Sequence, residues 1–514
     1  MLDLGRSFLA AVERCPDETA LVDGALRLSY ADWLGRVCGA AGGLQEQGLA
    51  RGDHLVTVLQ NRWEMATLHW ACQLLGVVMT PLNWRAKADE IDYCASDAGA
   101  RMLVFQDVSA DAVEASTVAG TLARVSVGGA PGGTLSYEEL QAANPAAPLA
   151  LAGADDWSLM LYTSGTTGKP KGVPRRHRHE RAAALAHVAQ NLYRRGERTL
   201  GVMPLYHTMG VRSLLAMTLI NGRFVCIPKF DPAAVLAGIQ AEQITNLYLV
   251  PTLYHDVMAH PDCASTDLGS VRKLGFAGAP MNEALLKKLA AAFKPDLFVN
   301  HYGSSEVYTF TIEPDAPKKP GSAGKAGINQ RIRVVKLDAK SPHEQAGPGE
   351  EGQIIADLDG DESFESYWNR PEADARSLRD GWYFTGDTGY FDRDGDLFVS
   401  GRVDDMIISG GENISPVEIE SLLSLHPAVD EVAVVGLPDP RWGQRVTAFI
   451  RRRQAVTPEQ LDAHCRDSGL LNFKRPREYV FVAEVPRSPV GKLLRRKLLA
   501  NEYELENNDG QTAK

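Results

Sequence analysis

Cysteine is scarce in this chain: seven residues in 514, none in a CxxC pair. An odd count without such pairs gives no sign of a disulfide framework. Cys15, Cys38, Cys72, Cys94, Cys226, Cys263 and Cys465 read as reduced, mostly core residues of a cytoplasmic protein. Long hydrophobic runs are missing too, and none approaches the length needed to span a bilayer. The first fifteen residues lack the form of a signal peptide. Asp3, Arg6, Glu13 and Arg14 are scattered among apolar residues, the pattern of an amphipathic helix. A surplus of positive charge is also absent, since 54 Lys and Arg against 65 Asp and Glu leave a net charge of −11. A field of that sign favours neither nucleic acid nor an anionic membrane as a bulk partner. Anionic ligands must be met by local basic groups. There is no internal repeat and no covalent-catalysis cysteine motif.

Hydrophobic residues make up 44% of the chain, which supports a globular protein, and 514 residues are too many for one core. Apolar runs alternate with helical patterns from about residue 20 to 310. Leu55–Leu59, Val77–Met79, Met102–Phe105, Phe224–Ile227 and Leu247–Val250 read as strands. Trp63–Leu75 and Pro232–Glu242 read as helices. This rhythm predicts α/β layers. Residues 320–400 are glycine-rich with short strands (Gly352–Asp357, Leu397–Ser400), a small β-rich subdomain. After Gly401-Arg402-Val403-Asp404-Asp405 comes a second mixed unit, with a helix over Pro416–Leu425 and a strand over Glu431–Val435. The predicted architecture is a large, multi-layered α/β domain over 1–403 and a small α+β domain over 404–514. The tail from Glu506 is polar and reads as frayed.

The most informative stretch follows the apolar run Leu159–Leu161. Thr163-Ser164-Gly165-Thr166-Thr167-Gly168-Lys169-Pro170-Lys171 holds four hydroxyls, two glycines and two lysines in nine residues. Glycines allow close backbone approach, and amides, hydroxyls and cations together suit a polyphosphate. It is not a Walker A loop, which needs four residues between its glycines and a Ser or Thr after its Lys. The segment resembles the signature loop of the acyl-adenylate-forming superfamily: acyl-CoA synthetases, peptide-synthetase adenylation domains and beetle luciferases. The resemblance covers nearly the whole chain, with later motifs in family order.

That resemblance implies a set of roles. In Asn300-His301-Tyr302-Gly303-Ser304-Ser305-Glu306, Ser305 stands where the family has Thr, and the hydroxyl is kept. Tyr302 would stack on adenine, Asn300 would bond its edge, Ser305 would touch the α-phosphate, and Glu306 would hold Mg2+, a hard ion suited to carboxylate and phosphate oxygens. Gly278 and Ala279 would line the adenine and acyl pockets. Asp387, in Gly381–Asp387, would accept from both ribose hydroxyls, with Arg402 adding a contact. Asp404 matches the family hinge, which makes the small domain a mobile lid. Lys492, in Pro486–Lys492, would neutralise charge as a carboxylate attacks the α-phosphate. The implied activity is an ATP-dependent acid–CoA ligase that forms an acyl-adenylate and then a thioester, using ATP, CoA and Mg2+.

CoA, rather than a carrier protein, is implied by segments that resemble aryl-CoA ligases of the 4-chlorobenzoate type: Pro440–Gln444 and Asn472–Arg477. Trp442, Phe473, Arg475 and Arg477 would hold the CoA nucleotide, and Gly410, Gly411 and Glu412 the pantetheine tunnel. The acid would sit among His207, Met209, Ala279, His301, Gly303, Tyr308 and Thr309, with His207 also beside the reacting carboxylate. His301 and Tyr308 are bulky and polar-tipped, which favours a small aromatic or heteroaromatic acid: benzoate, halobenzoate, hydroxybenzoate or furoate. A short- or medium-chain fatty acyl-CoA synthetase and a non-catalytic AMP-binding homologue are the alternatives, and a homodimer is left open. Lys492, Glu306 and Asp387 are all intact, which speaks against loss of catalysis.

Overall fold

A computed structural model describes residues 2–142, 151–163, 169–487 and 493–506, and among them lie three β-sheets. The apolar runs near 55 and 102 become neighbouring parallel strands, His54–Val58 and Ala100–Gln106, in a seven-stranded sheet. His54–Val58 is buried along its whole length, as a parallel strand covered by helices must be. Trp63–Leu75 is a helix, as its sequence predicts, and Gly76 ends it in the left-handed conformation (φ 73°). At one edge of this sheet Trp157–Thr163 pairs antiparallel with Lys171–Arg176, in a register that places Thr163 opposite Lys171. Ser164, Gly165, Thr166, Thr167 and Gly168 lie outside the described residues.

The second sheet has fourteen strands. Arg223–Cys226, Arg198–Gly201, Asn246–Leu249, Lys273–Phe276 and Leu297–Tyr302 run parallel within it. Their carboxyl ends therefore point one way, and the segments that follow them share one edge, where α/β sheets hold ligands. From Leu297–Tyr302 the sheet continues antiparallel through the glycine-rich region. Thr311 pairs with Ala326, Gly324 with Leu397, and Asp387 with Arg402. The β-rich region is thus an arm hydrogen-bonded onto the large sheet and continuous with it.

Helices fill the space between these two sheets. Leu4–Arg14, Tyr30–Glu46, Trp63–Leu75, His177–Gln190 and Thr208–Leu219 all contribute to one buried cluster that also takes Leu55 and Leu159 from one sheet and Leu21 and Phe224 from the other. Phe8 stacks on Trp70 at 4.9 Å and meets the edge of Trp33 at 5.3 Å. Truncating a side chain so placed costs about 3–5 kcal/mol. The amphipathic N-terminal segment is thereby a core helix.

One 3-10 turn, Val403–Asp405, leads into a five-stranded sheet built from strands after residue 406. It has its own buried clusters, one around Ile419, Val434 and Leu461, another around Phe449, Val485 and Leu498. Arg495 pairs with Asp405 at 2.9 Å and with Glu420 at 2.6 Å, tying the last helix to the turn. The Ser415 hydroxyl donates to the Ser400 carbonyl across that turn. All seven cysteines are unpaired. Among the described residues no helix is long and apolar enough to cross a membrane.

Candidate active site

The parallel strands deliver their following residues to one edge. Phe276 lies opposite Asn300, so Gly278 and Ala279 emerge beside Tyr302 and Gly303. His207 follows Arg198–Gly201 and caps the helix Thr208–Leu219, its Nδ1 accepting from the Met209 amide at 3.3 Å. Gly303 is obligatory in this turn, since a Cβ there would stand 2.1 Å from the Tyr308 carbonyl oxygen.

The antiparallel arm completes one end of the site. Tyr302 donates its hydroxyl to Asp387 Oδ2 at 2.5 Å, and Arg402 Nη1 lies 3.3 Å from Asp387 Oδ1. A carboxylate has about four lone-pair positions and can accept from both hydroxyls of a diol. Burial, then the Asp387 carboxylate, holds the Tyr302 phenol protonated, its pKa well above the usual value. Asn300 donates to the Ser322 carbonyl at 2.8 Å, which fixes its amide and leaves Oδ1 as an acceptor. The three residues read from separate motifs therefore meet in space.

Glu306 is buried. Its Oε1 accepts from the Tyr367 hydroxyl at 2.7 Å. Burial alone would raise its pKa, but the Tyr367 hydrogen bond and the Lys171 charge outweigh it and hold the carboxyl below its ordinary range. Lys171 Nζ sits 3.9 Å over the Tyr367 ring, and burial lowers its own pKa. A buried carboxylate kept ionised, beside a lysine and the start of the hydroxyl-rich loop, fits a hard divalent cation with phosphates. Lys169 Nζ lies over the Tyr93 ring at 5.4 Å. Ser305 is half-buried in the turn that carries Glu306. That turn is fixed from behind: Arg175 Nη1 donates to the Glu306 carbonyl at 3.0 Å, and Arg175 Nε meets Glu180 Oε1 at 2.8 Å with both side chains fully buried. Lys492 lies outside the described residues.

The acyl side differs in detail from its sequence-based picture. Tyr308 donates its hydroxyl to Glu180 Oε2 at 3.2 Å, and its ring lies under Arg175 (4.1 Å) and Arg212 (5.0 Å). Its polar tip is therefore engaged within the protein, which corrects the idea that this tip is offered to an acid. Met209 belongs to the core cluster that includes Tyr248 and Val250. His301 and Thr309 are buried, and His301 Nε2 bonds to Asn191 Oδ1 at 3.1 Å. Sequence reading missed Arg212, His187, Asn191, Glu180 and Tyr367. The available signal was Arg212 itself, a lone charge on a helix whose residues Thr208 to Thr218 are all buried.

Asp404 stands in the turn directly after Arg402. Beyond it, the Gly410 amide donates to the Trp442 carbonyl at 2.8 Å. A Cβ on Gly410, at φ 62°, would lie 3.0 Å from the Trp442 ring. The indole is 37% exposed, with Arg441 at 4.7 Å and Arg477 at 6.0 Å over its face. Arg475 is engaged by Asp462 at 3.1 Å and Asn472 at 2.6 Å, so Arg441 and Arg477 are the cations at the indole. Phe473 is 37% exposed on the same segment as Arg475 and Arg477. Gly411 and Glu412 are exposed beside Gly410.

A tyrosine at a strand end facing an aspartate and an arginine of the arm, a buried carboxylate beside a lysine, and a small unit attached at the next residue define the adenylate-forming class of site. Residues 8–368 match the AMP-binding enzyme family and residues 418–492 its C-terminal domain. The chain is 35% identical over 498 residues to a 4-chlorobenzoate–CoA ligase of Arthrobacter sp, covering 95% of this chain and 93% of that one. It is 32% identical over 485 residues to a long-chain-fatty-acid–CoA ligase of Mycobacterium tuberculosis, covering 92% and 93%. Its fold superposes with a TM-score of 0.89 on an anthranilate CoA ligase solved with anthranoyl-AMP, at 26% identity over 97% of each chain. The chain belongs to the AMP-binding enzyme family, and it is an enzyme of the acid–CoA ligase class.

Proposed function

We propose that this enzyme activates a small aromatic or heteroaromatic acid with ATP and transfers it to CoA. The observation that carries this reading is the convergence of Tyr302, Asp387 and Arg402 at one end of the sheet edge that also bears His207, Ala279 and Glu306. In the first half-reaction a carboxylate oxygen attacks the α-phosphorus of ATP and pyrophosphate leaves. In the second the CoA sulfur attacks the acyl carbon and AMP leaves.

Tyr302 packs against adenine, Asn300 Oδ1 accepts from its edge, and Asp387 with Arg402 holds the ribose. Thr163, Lys169 and Lys171 flank the phosphates. Glu306 would hold Mg2+, which when bound supplies positive charge at the phosphate oxygens. Lys492 serves the first half-reaction, by resemblance alone. Asp404 is the hinge of a division into 1–403 and 404–514. Turning there brings Gly410 and Trp442 with the CoA chain to the adenylate. The unpaired cysteines suit a reducing compartment such as the cytoplasm.

The bulk of His301 and the buried polar groups around it support a ring over a long alkyl chain. The similarity to a 4-chlorobenzoate–CoA ligase agrees with this, while the fatty-acid relative keeps the alkanoate reading in view. The test is thioester formation by the purified enzyme with benzoate, 4-chlorobenzoate, 4-hydroxybenzoate, 2-furoate, hexanoate and palmitate. At least one ring acid should exceed both alkanoates in kcat/KM by about tenfold. A preference for hexanoate or palmitate would reject the aromatic reading.

A further inference from the structure

Behind Gly303 the fold buries an unusual set of polar side chains. Arg212 comes from the helix Thr208–Leu219, His187 from His177–Gln190, and His301 from the strand Leu297–Tyr302. Arg212, His187 and His301 are 2%, 1% and 2% exposed. The rings of His187 and His301 lie 5.2 Å apart, and Tyr248 touches both, at 4.9 and 5.1 Å. The buried Glu362 carboxylate faces Arg212 and Thr309, yet Arg212 Nε and Nη1, His187 Nε2 and His301 Nδ1 have no hydrogen-bond partner among the described residues. Leaving such a group unsatisfied is costly, and more so for a charge. Buried polar groups in folded proteins are nearly always hydrogen-bonded, to protein, ordered water or a ligand, so these atoms call for an occupant.

Asn191 settles which of these atoms donate. Its amide nitrogen donates to the His187 carbonyl at 2.8 Å, and a carbonyl can only accept. The amide is thereby oriented. Its oxygen faces His301 Nε2 at 3.1 Å, so that nitrogen carries the proton. Its second N–H faces His187 Nδ1 at 3.1 Å, so that nitrogen accepts. Burial, with the neighbouring Arg212 charge, keeps both imidazoles neutral. Two consequences follow from the tautomers: His187 Nε2 is a proton donor, and His301 Nδ1 is an acceptor. The cluster therefore presents donors from Arg212 and His187 together with an acceptor on His301.

We infer that this cluster reads a hydroxyl on the acid substrate, accepting from Arg212 or His187 and donating to His301 Nδ1, and so sets the enzyme's preference for hydroxylated over unsubstituted ring acids. A hydroxyl is the small substituent that does both at one atom. A halogen or methyl group answers neither and leaves the guanidinium desolvated. Sites built to bond a substrate hydroxyl reject the analogue that lacks it far more strongly than apolar pockets reject a methylene. The inference rests on the ring-acid reading above and narrows it.

The test compares CoA-thioester formation from 3-hydroxybenzoate, 4-hydroxybenzoate and benzoate by the wild-type enzyme and by Arg212→Met. In the wild type, kcat/KM for the better hydroxy acid should exceed that for benzoate by about a hundredfold. In Arg212→Met that ratio should fall by about tenfold or more. The variant should melt below the wild-type temperature, because it leaves the buried Glu362 carboxylate without its neighbouring cation. A wild type that favours benzoate overturns the inference, as does a ratio that Arg212→Met leaves unmoved. An equal loss for every acid, whatever the melting temperature, makes Arg212 a scaffold residue and also overturns it. A wild type that turns over only alkanoates overturns the ring-acid reading itself, before any variant is compared.

Discussion

Glu306 shows how one side chain is prepared for its task. Burial would neutralise it, yet the Tyr367 hydroxyl and Lys171 hold it ionised. Its folded-state pKa is depressed, so the stability it contributes is present above the unfolded value and is lost as pH falls through the folded one. Tyr367→Phe removes the hydroxyl donor and should raise the Glu306 pKa. The acid limb of the pH profile for pyrophosphate release should then move to higher pH, with the neutral-pH rate less affected. An acid limb that stays in place would show that Tyr367 does not tune Glu306. At this scale the sequence was uneven to read. Tyr302, Asp387 and Arg402 sit in compact motifs whose neighbours advertise them. His301 and Asn191 are 110 residues apart, and only packing makes them partners. Tyr308 was misjudged for the same reason: nothing local to it signals Glu180, which lies 128 residues away.

Among the elements, the turn Val403–Asp405 stands out. It is a single 3-10 turn that closes with Met406 N donating to the Val403 carbonyl at 3.3 Å. Proline at 404 would fix φ near about −65° and disfavour the helical conformation of Val403 before it. Asp404→Pro should form the adenylate, seen as pyrophosphate release, while thioester formation falls by about a hundredfold or more. Unchanged overall turnover would remove Asp404 from the pivot. Strands and helices here were well marked in the sequence. Trp63–Leu75 and Pro232–Glu242 form over the residues their periodicity indicates. The join of the glycine-rich arm to the large sheet was not, because ladder pairs such as Gly324 with Leu397 depend on register between distant segments.

The proposed sites fall on different parts of the molecule. The residues proposed for adenine and ribose lie on the large sheet, whereas the exposed Trp442 and its flanking Arg441 and Arg477 lie beyond residue 406. Trp442→Ala should therefore raise the KM for CoA by about tenfold or more, since base–aromatic stacking is worth about 1–3 kcal/mol. The KM values for ATP and acid should stay near wild type. An equal rise for ATP would place the indole at the other nucleotide.

Arg402 ends a strand, pairs with Asp387, and is followed one residue later by the turn. If Asp387 holds the nucleotide and Asp404 is the pivot, as proposed, binding clamps the chain just upstream of the point where it swivels. The anhydride formed in the first half-reaction would then stay with the anchored unit while the other partner is exchanged over it. On that proposal the reactive intermediate would be handed on in place, and its escape to water would depend on how long the swivel takes rather than on how tightly the acid is held.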